Sequence, residues 1–106
     1  MSENNSEVIT SCDELQLTPM GNEVRLVQEE LLKLFDGKQR DYGSGNVAAF
    51  GELGVLVRCT DKVMRLKNLL HDNAGKKPNH ESIEDSWRDL AVHAMIGLLV
   101  HRGGWK

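Results

Sequence analysis

Apolar residues recur every three or four positions in three separate stretches of the chain, the spacing that places them on one face of an α-helix. The predicted helices cover about residues 23–40, 52–72 and 80–102. Asn22 is expected to cap the first helix and Gly37 to end it, and Asn79 or His80 is expected to cap the third. No stretch alternates with a period of two, so the sequence predicts no β-strand.

The recurring apolar residues mark the side of each helix that is expected to face the core. They are Val24, Val27, Leu31, Leu34 and Phe35 in the first helix, Leu56, Cys59, Val63, Leu66 and Leu70 in the second, and Ile83, Trp87, Leu90, Ala94 and Leu98 in the third. The expected architecture is therefore all-α, an antiparallel bundle of three main helices with no sheet. Val55, Val57, Leu69 and Val92 lie off these faces, which favours a homo-oligomer, a dimer or a tetramer, that covers them.

Residues 1–20 are rich in Ser, Asn and Glu, and Pro19 interrupts the little periodicity that they have. They are expected to form a loosely ordered tail, and residues 21–106 are expected to form a single helical domain. A chain of 106 residues is near the lower end of what can bury a core of its own, so self-association would help it.

Composition narrows the class of protein. The formal net charge is -3, which argues against binding to duplex nucleic acid or to an anionic membrane surface. Cys12 and Cys59 are too few and too far apart for a disulfide framework or a structural zinc site. No apolar run is long enough to span a bilayer, and the N-terminus lacks the parts of a signal peptide, so a cytoplasmic protein without a membrane partner is expected.

The stretch from Gly43 to Ala48 matches the G-x-G-x-x-A pattern of a dinucleotide-binding loop. That fingerprint works only between a strand and a helix, and no strand is predicted here. A Walker loop is also absent from the sequence. What remains is a flexible loop with several polar residues that leads into a helix. The free N–H groups at the start of that helix favour an anion. The alternative is an ordinary connection between two helices.

Two polar helix faces strengthen the case for an anion. Arg58, Asp61, Lys62 and Arg65 share one side of the second helix, and Glu81, Asp85 and Asp89 recur every four residues along the third. These rows can face each other across a groove, either as a binding site or as a salt-bridge ladder that serves only stability. Exposed pairs contribute at most about 1 kcal/mol, so reversing the charge of Arg58 or Lys62 is expected to leave the fold intact.

The histidines predict no zinc site. His80 is followed by Glu81 as in the H-E-x-x-H motif, but Glu84 stands where the second histidine ligand is needed. His71, His93 and His101 share no ligand spacing, so each is expected to be structural.

Three motifs then follow one another along the chain. A lysine at position 38 precedes D-Y-G at 41–43, R-x-x-D-K-x-x-R-L covers 58–66, and E-S-x-x-D-x-x-x-D-L-A covers 81–91. In this order they resemble the bacterial and phage nucleotide modification associated domain family, first of that series, over about residues 36–99. The resemblance implies a link to nucleotide metabolism, and the helical layout is similar to that of the MazG-like nucleotide pyrophosphohydrolases.

These observations lead to one preferred function. The residues expected to bind a nucleotide are Lys38, Arg40, Asp41, Tyr42, Gly43, Asn46, Arg58, Asp61, Lys62 and Arg65. The expected protein is a small phage-type, non-catalytic binder that needs no cofactor. In the host cytoplasm it would sequester a cyclic or ADP-ribose-type nucleotide signal of anti-phage defence.

Two alternatives stay open. MazG-like enzymes hold Mg²⁺ with E-x-x-E and E-x-x-D pairs, because clustered carboxylates bind the metal and activate water. A magnesium-dependent nucleotide pyrophosphohydrolase would here use Asp61, Glu81, Asp85 and Asp89 as ligands. The cations around Asp61 would repel Mg²⁺ and attract phosphate, which favours binding over catalysis. The second alternative is a protein-interaction module without a ligand.

Overall fold

The structure is a computed structural model that describes residues 16–78 and 82–106. Its helices are α1 (Pro19–Tyr42), α2 (Gly45–Lys67) and α3 (Ile83–His101), and a short π-helical segment (Asn68–Asp72) continues α2. These two described ranges contain no β-strand. The prediction of an all-α fold with three main helices is confirmed.

The chain divides into two compact units, with the boundary between Lys33 and Leu34 inside α1. The first unit holds the start of α1, where Leu31 is buried. The second unit holds the last turns of α1 together with α2 and α3. Most of the predicted tail lies outside the described residues, but its last two residues, Pro19 and Met20, belong to α1.

The starts of α1 and α3 differ from the predicted ones. The Thr18 hydroxyl accepts a hydrogen bond from the Gly21 N–H at 3.0 Å, so α1 begins at Pro19 and the cap predicted at Asn22 is wrong. Proline suits the first position of a helix, because the N–H that it lacks would have no partner there. Ser82 caps α3 in a reciprocal pair with Asp85, whose N–H donates to the Ser82 hydroxyl at 3.0 Å. The predicted caps at 79 and 80 lie outside the described residues.

The first helix also ends later than expected, because glycine inside a helix is tolerated at a cost of about 1 kcal/mol. Gly37 lies within α1, and the helix ends at Tyr42. The terminating residue is Gly43, which has a φ of 70° and donates its N–H to the Gln39 carbonyl at 2.8 Å.

A sharp kink divides α2. Gly51 has φ 67° and ψ -164°, a combination that is essentially restricted to glycine. The kink folds Phe50 back over Gly54, so closely that a Cβ at position 54 would clash with the Cβ of Phe50. The residues from Gly45 to the kink were predicted as a loop, but they are helical.

The helices α2 and α3 pack against each other and run antiparallel. Contacts run from Glu52 with His101 at one end, through Lys62 with Asp89, to Arg65 with Ser86 at the other. In these three contacts the residue numbers rise along α2 and fall along α3. The two helices therefore run antiparallel, and the prediction is confirmed for this pair.

The inward face of α2 is rotated from the predicted one. Val55 and Leu66 are buried, with 6% and 4% of their surface exposed, and Lys62 lies on the same side between them. The predicted core residues Leu56, Val63 and Leu70 are exposed instead, and only Leu66 of that set is buried. The apolar periodicity predicted the wrong buried face for α2, because a lysine occupies the centre of the true one.

Helix α3 is rotated in the same way. Its buried residues are Ser86, Val92 and Ile96, whereas the predicted Trp87, Ala94 and Leu98 are exposed. Val55 and Val92 were expected to need a partner subunit for cover, but they are buried within the chain. On both helices a polar residue faces the partner helix, and large apolar residues face outward. No helix within the described ranges is long and apolar enough to cross a membrane.

Candidate functional site

A cavity of about 550 Å³ lies between the end of α1 and the inward sides of α2 and α3. Its volume is in the range of small-molecule sites. The predicted ligand-binding residues that line it are Lys38, Tyr42, Gly43, Asn46, Arg58, Asp61 and Lys62. The helix packing therefore brings the D-Y-G loop and the cationic side of α2 to one place.

The other three predicted residues lie off the wall of this cavity. Arg40 forms an exposed ion pair with Asp36 at 2.6 Å, and Asp41 is exposed on the last turn of α1. Arg65 donates to the hydroxyl of the fully buried Ser86 at 2.5 Å. Arg65 therefore helps to join α2 to α3.

Asp89 lies between two lysines of the cavity. Its carboxylate is 3.3 Å from Lys38 Nζ and 3.2 Å from Lys62 Nζ, and only 15% of its side chain is exposed. Lys62 is itself largely covered, with 21% of its side chain exposed. One carboxylate thus joins α1, α2 and α3, and the Lys38 ammonium keeps N–H donors for a further acceptor.

The charge state of Asp89 follows from these contacts. Burial raises the pKa of the carboxyl, but the hydrogen bonds and positive charges of Lys62 and Lys38 outweigh burial, so the pKa lies below its ordinary value. A lowered pKa in the folded protein means that the ionised carboxylate stabilises the fold above the pKa of the unfolded chain, and that this stabilisation is lost as the pH falls through the folded value. At neutral pH the two lysines therefore share one negative charge.

Other polar groups on the cavity wall have no such partner. Within residues 16–78 and 82–106, the side chains of Arg58, Asp61, Tyr42 and Asn46 form no hydrogen bond or ion pair. Arg58 is exposed and presents a guanidinium with five N–H donors. The wall therefore offers a cation, an amide and a phenol that are available to a ligand.

The C-terminal residues close one end of this cavity. Trp105 donates its indole N–H to the Ser44 carbonyl at 3.1 Å, and its ring meets that of Phe35 edge to face at 5.9 Å. Gln39 donates to the Ser44 hydroxyl at 2.6 Å. Sequence reasoning missed these residues, because Trp105 reaches the loop only after the chain turns at Gly103, which has a φ of 74°.

A second cavity of about 330 Å³ adjoins the first and is mainly apolar. Its wall includes Val47, Phe50, Gly54, Val55 and Val57, and it shares Asn46, Val47, Arg58 and His93 with the larger cavity. The sequence analysis predicted no ligand contact for Phe50, Val47 or Val57, and it expected Val57 to be covered by a second subunit.

His93 has both a structural contact and a place in the site. Its Nδ1 lies 2.7 Å from the Asp89 carbonyl, which can only accept, so Nδ1 carries the proton. In the neutral ring Nε2 is then an acceptor. A lone histidine on a helix gave no signal of this role, since the cavities form only when α2 and α3 pack together.

Two of the four carboxylates predicted as magnesium ligands are engaged in other contacts. The Asp85 carboxylate accepts from the Ser82 N–H and hydroxyl at the helix cap and from Arg88 at 3.0 Å, and Asp89 is held by the two lysines. Glu81 lies outside the described residues. Within the described ranges, no three His, Cys, Asp or Glu side chains lie close enough together to hold a metal ion.

No protein-family model, curated protein or solved structure matches this chain. The resemblance to the nucleotide modification associated domain family therefore stays a prediction, as does the similarity to the MazG-like layout.

Proposed function

We propose that the larger cavity binds a nucleotide through its phosphate groups and holds it intact. The observation that supports this most strongly is the convergence of Lys38, Arg58 and Lys62 on one cavity, in a chain whose formal net charge is -3. Lysine and arginine bind phosphate oxygens with charge-assisted hydrogen bonds, which are about twice as strong as neutral ones. Arg58 can bind two phosphate oxygens at once, and the lysines act as point charges beside it.

The charge balance of the cavity supports an anion better than a metal ion. Its wall carries three cations, Lys38, Arg58 and Lys62, against two carboxylates, Asp61 and Asp89. A divalent cation would have to approach all three positive groups and displace lysines from Asp89. A phosphate instead offers acceptors to Arg58 and to the lysines, for which it competes with the carboxylate of Asp89.

Without a bridging metal ion, a bound nucleotide is not activated for hydrolysis by metal-ion catalysis. This property suits a protein that sequesters a nucleotide, and we propose a sponge for a cyclic or ADP-ribose-type signal of host anti-phage defence, acting in the host cytoplasm. The rival function is a magnesium-dependent pyrophosphohydrolase, and the same incubation separates the two.

The test is incubation of the protein with a panel of mono-, di-, tri- and cyclic nucleotides and ADP-ribose, followed by removal of free nucleotide, denaturation and chromatography. We expect at least one nucleotide to be recovered intact, equally with Mg²⁺ and with EDTA, because the proposed contacts are all protein cations. Recovery of nucleoside monophosphate with pyrophosphate, only when Mg²⁺ is present, would support the enzyme instead. Failure to retain any member of the panel would contradict the proposed function.

We also infer that the chain forms a homo-oligomer through the outward side of α2. Leu56 and Val63 of α2, and Leu70 of the π-helical segment that continues it, are exposed at intervals of seven residues, the repeat by which two helices pack along a shared seam. An apolar groove of about 440 Å³ between Leu56 of α2 and Ala94 of α3 extends this surface. A second copy presents the same seam, so a symmetric dimer can cover both at once.

Replacing Leu56 with glutamate is expected to convert the oligomer to a monomer at micromolar concentration, because it places a charge on the apolar seam of each subunit. Light scattering coupled to gel filtration gives the mass directly. The matched control is Leu32→Glu, at an exposed leucine of α1 outside the seam. A wild-type protein that is monomeric, or a Leu56→Glu variant with unchanged mass, would contradict this interface.

A further inference from the structure

We propose that the apolar cavity beside the cationic one binds the aromatic heterocycle of the nucleotide, with the ring of Phe50 stacked on it. This inference rests on the proposed function and adds a second subsite to it. The cavity has a volume of about 330 Å³ and is bounded by the buried Val55 and by Val57. Phe50 is 66% exposed, so one side of its ring is open to a ligand. Stacking on an aromatic side chain suits any nucleobase, since every base has a flat apolar face.

The two cavities are joined in a way that fits one molecule with a charged part and a ring. Arg58, Asn46 and His93 line both of them. A ligand that places its phosphates on Lys38 and Lys62 therefore passes these residues on the way to Phe50. Arg58 lies at the junction, where its guanidinium can contact a phosphate.

The polar groups at this junction suit the edge of a nitrogen heterocycle. Nδ1 of His93 donates to the Asp89 carbonyl, which leaves Nε2 of the ring to face a ligand. The Asn46 amide offers both donors and an acceptor, and it has no side-chain partner within the described ranges. The exposed Asn46 amide and the half-buried His93 ring can pair with the donors and acceptors of a base, which a hydrocarbon ring lacks.

The position of Phe50 depends on two glycines. Gly51 provides the backbone conformation that turns the chain back, and Gly54 leaves the space that the Phe50 Cβ occupies. An exposed phenylalanine held in this way is not needed to fill the core. Its replacement therefore tests the subsite with little effect on the fold.

The experiment compares two probes, ATP and inorganic tripolyphosphate, by titration calorimetry of the full chain. We expect ATP to bind the wild type more tightly than tripolyphosphate. Phe50→Ala should weaken ATP about tenfold or more and leave tripolyphosphate unchanged, because only ATP has a ring. Phe50→Trp is the matched control and should retain the preference for ATP. Thermal unfolding of each variant checks the fold, and Phe50→Leu, which keeps apolar bulk without a ring, should also lose the preference.

The outcomes separate this inference from the proposed function. If tripolyphosphate binds and ATP binds no better, the ring subsite is wrong while the phosphate site stands. If Phe50→Ala weakens both probes equally, Phe50 supports the fold and not the ring, which also overturns the inference. If neither probe binds to the wild type, both the phosphate site and the ring subsite are overturned.

Discussion

Replacing Arg58 with glutamate is expected to weaken nucleotide binding about thirtyfold or more while the melting temperature stays unchanged. Arg58 lines both cavities, is exposed and has no side-chain partner within the described ranges, so the fold does not depend on it. The variant loses a charge-assisted hydrogen bond to phosphate and gains a repulsive carboxylate, a change of ~2 kcal/mol or more. Titration calorimetry with the nucleotide that the panel identifies, beside a thermal melt, measures both quantities.

The matched control is Arg40→Glu. Arg40 was also predicted to bind the nucleotide, but it lies off the cavity and pairs with Asp36. We expect this variant to keep full affinity. If both arginine variants lose affinity equally, the effect comes from the overall charge of the protein and the cavity is not the site.

Lys62→Glu is expected to behave differently, contrary to the sequence-based expectation that both reversals spare the fold. Lys62 is largely covered and contacts Asp89, so a glutamate there would put two carboxylates together on the buried face. The melting temperature should fall together with the affinity. Lys62→Gln, which removes the charge without adding repulsion, should lower the melting temperature less.

Replacing Gly51 with alanine is expected to destabilise the fold by about 1–3 kcal/mol, because a side chain strains the backbone at φ 67° and ψ -164°. For a domain of this size, the melting temperature should fall by roughly 5–15 °C. Thermal unfolding followed by circular dichroism measures this shift. Nucleotide affinity should fall as well, because relief of the strain moves Phe50.

Gly37→Ala is the control for this prediction. Gly37 is helical, and an added Cβ would meet nothing within 4 Å, so alanine should stabilise α1 by about 0.5–1 kcal/mol. The two substitutions are chemically identical and should shift the melting temperature in opposite directions. Stabilisation by both would mean that the chain does not need the kink at Gly51.

The sequence predicted the helices well and their buried faces poorly, for one physical reason. Helical periodicity is visible whenever apolar residues recur, whatever they contact, so three helices were found. Which side faces inward was decided by Lys62 and Asp89, which stabilise each other across α2 and α3. A rule that places charges outside cannot anticipate a pair that forms only after the helices meet.

The candidate site was predictable where helix spacing or a motif marks its residues. The cations Lys38, Arg58 and Lys62 were selected from helix spacing and from the motifs, and the structure places them on one cavity. Trp105 and His93 were missed, because each reaches the site through a contact with a residue distant in sequence or through helix packing. A periodic pattern carries no information about such contacts.

The carboxylate of Asp89 has a consequence for how an anion enters the site. Before any ligand arrives, Lys38 and Lys62 are already bound to a negative group that belongs to the chain itself. Loading of the proposed nucleotide would therefore be an exchange reaction, in which phosphate competes with a tethered acceptor for lysines that stay neutralised throughout. Fewer small ions from solution are then released on binding than from an open basic patch. Such exchange makes the affinity less sensitive to ionic strength, and it favours release when the free nucleotide is depleted.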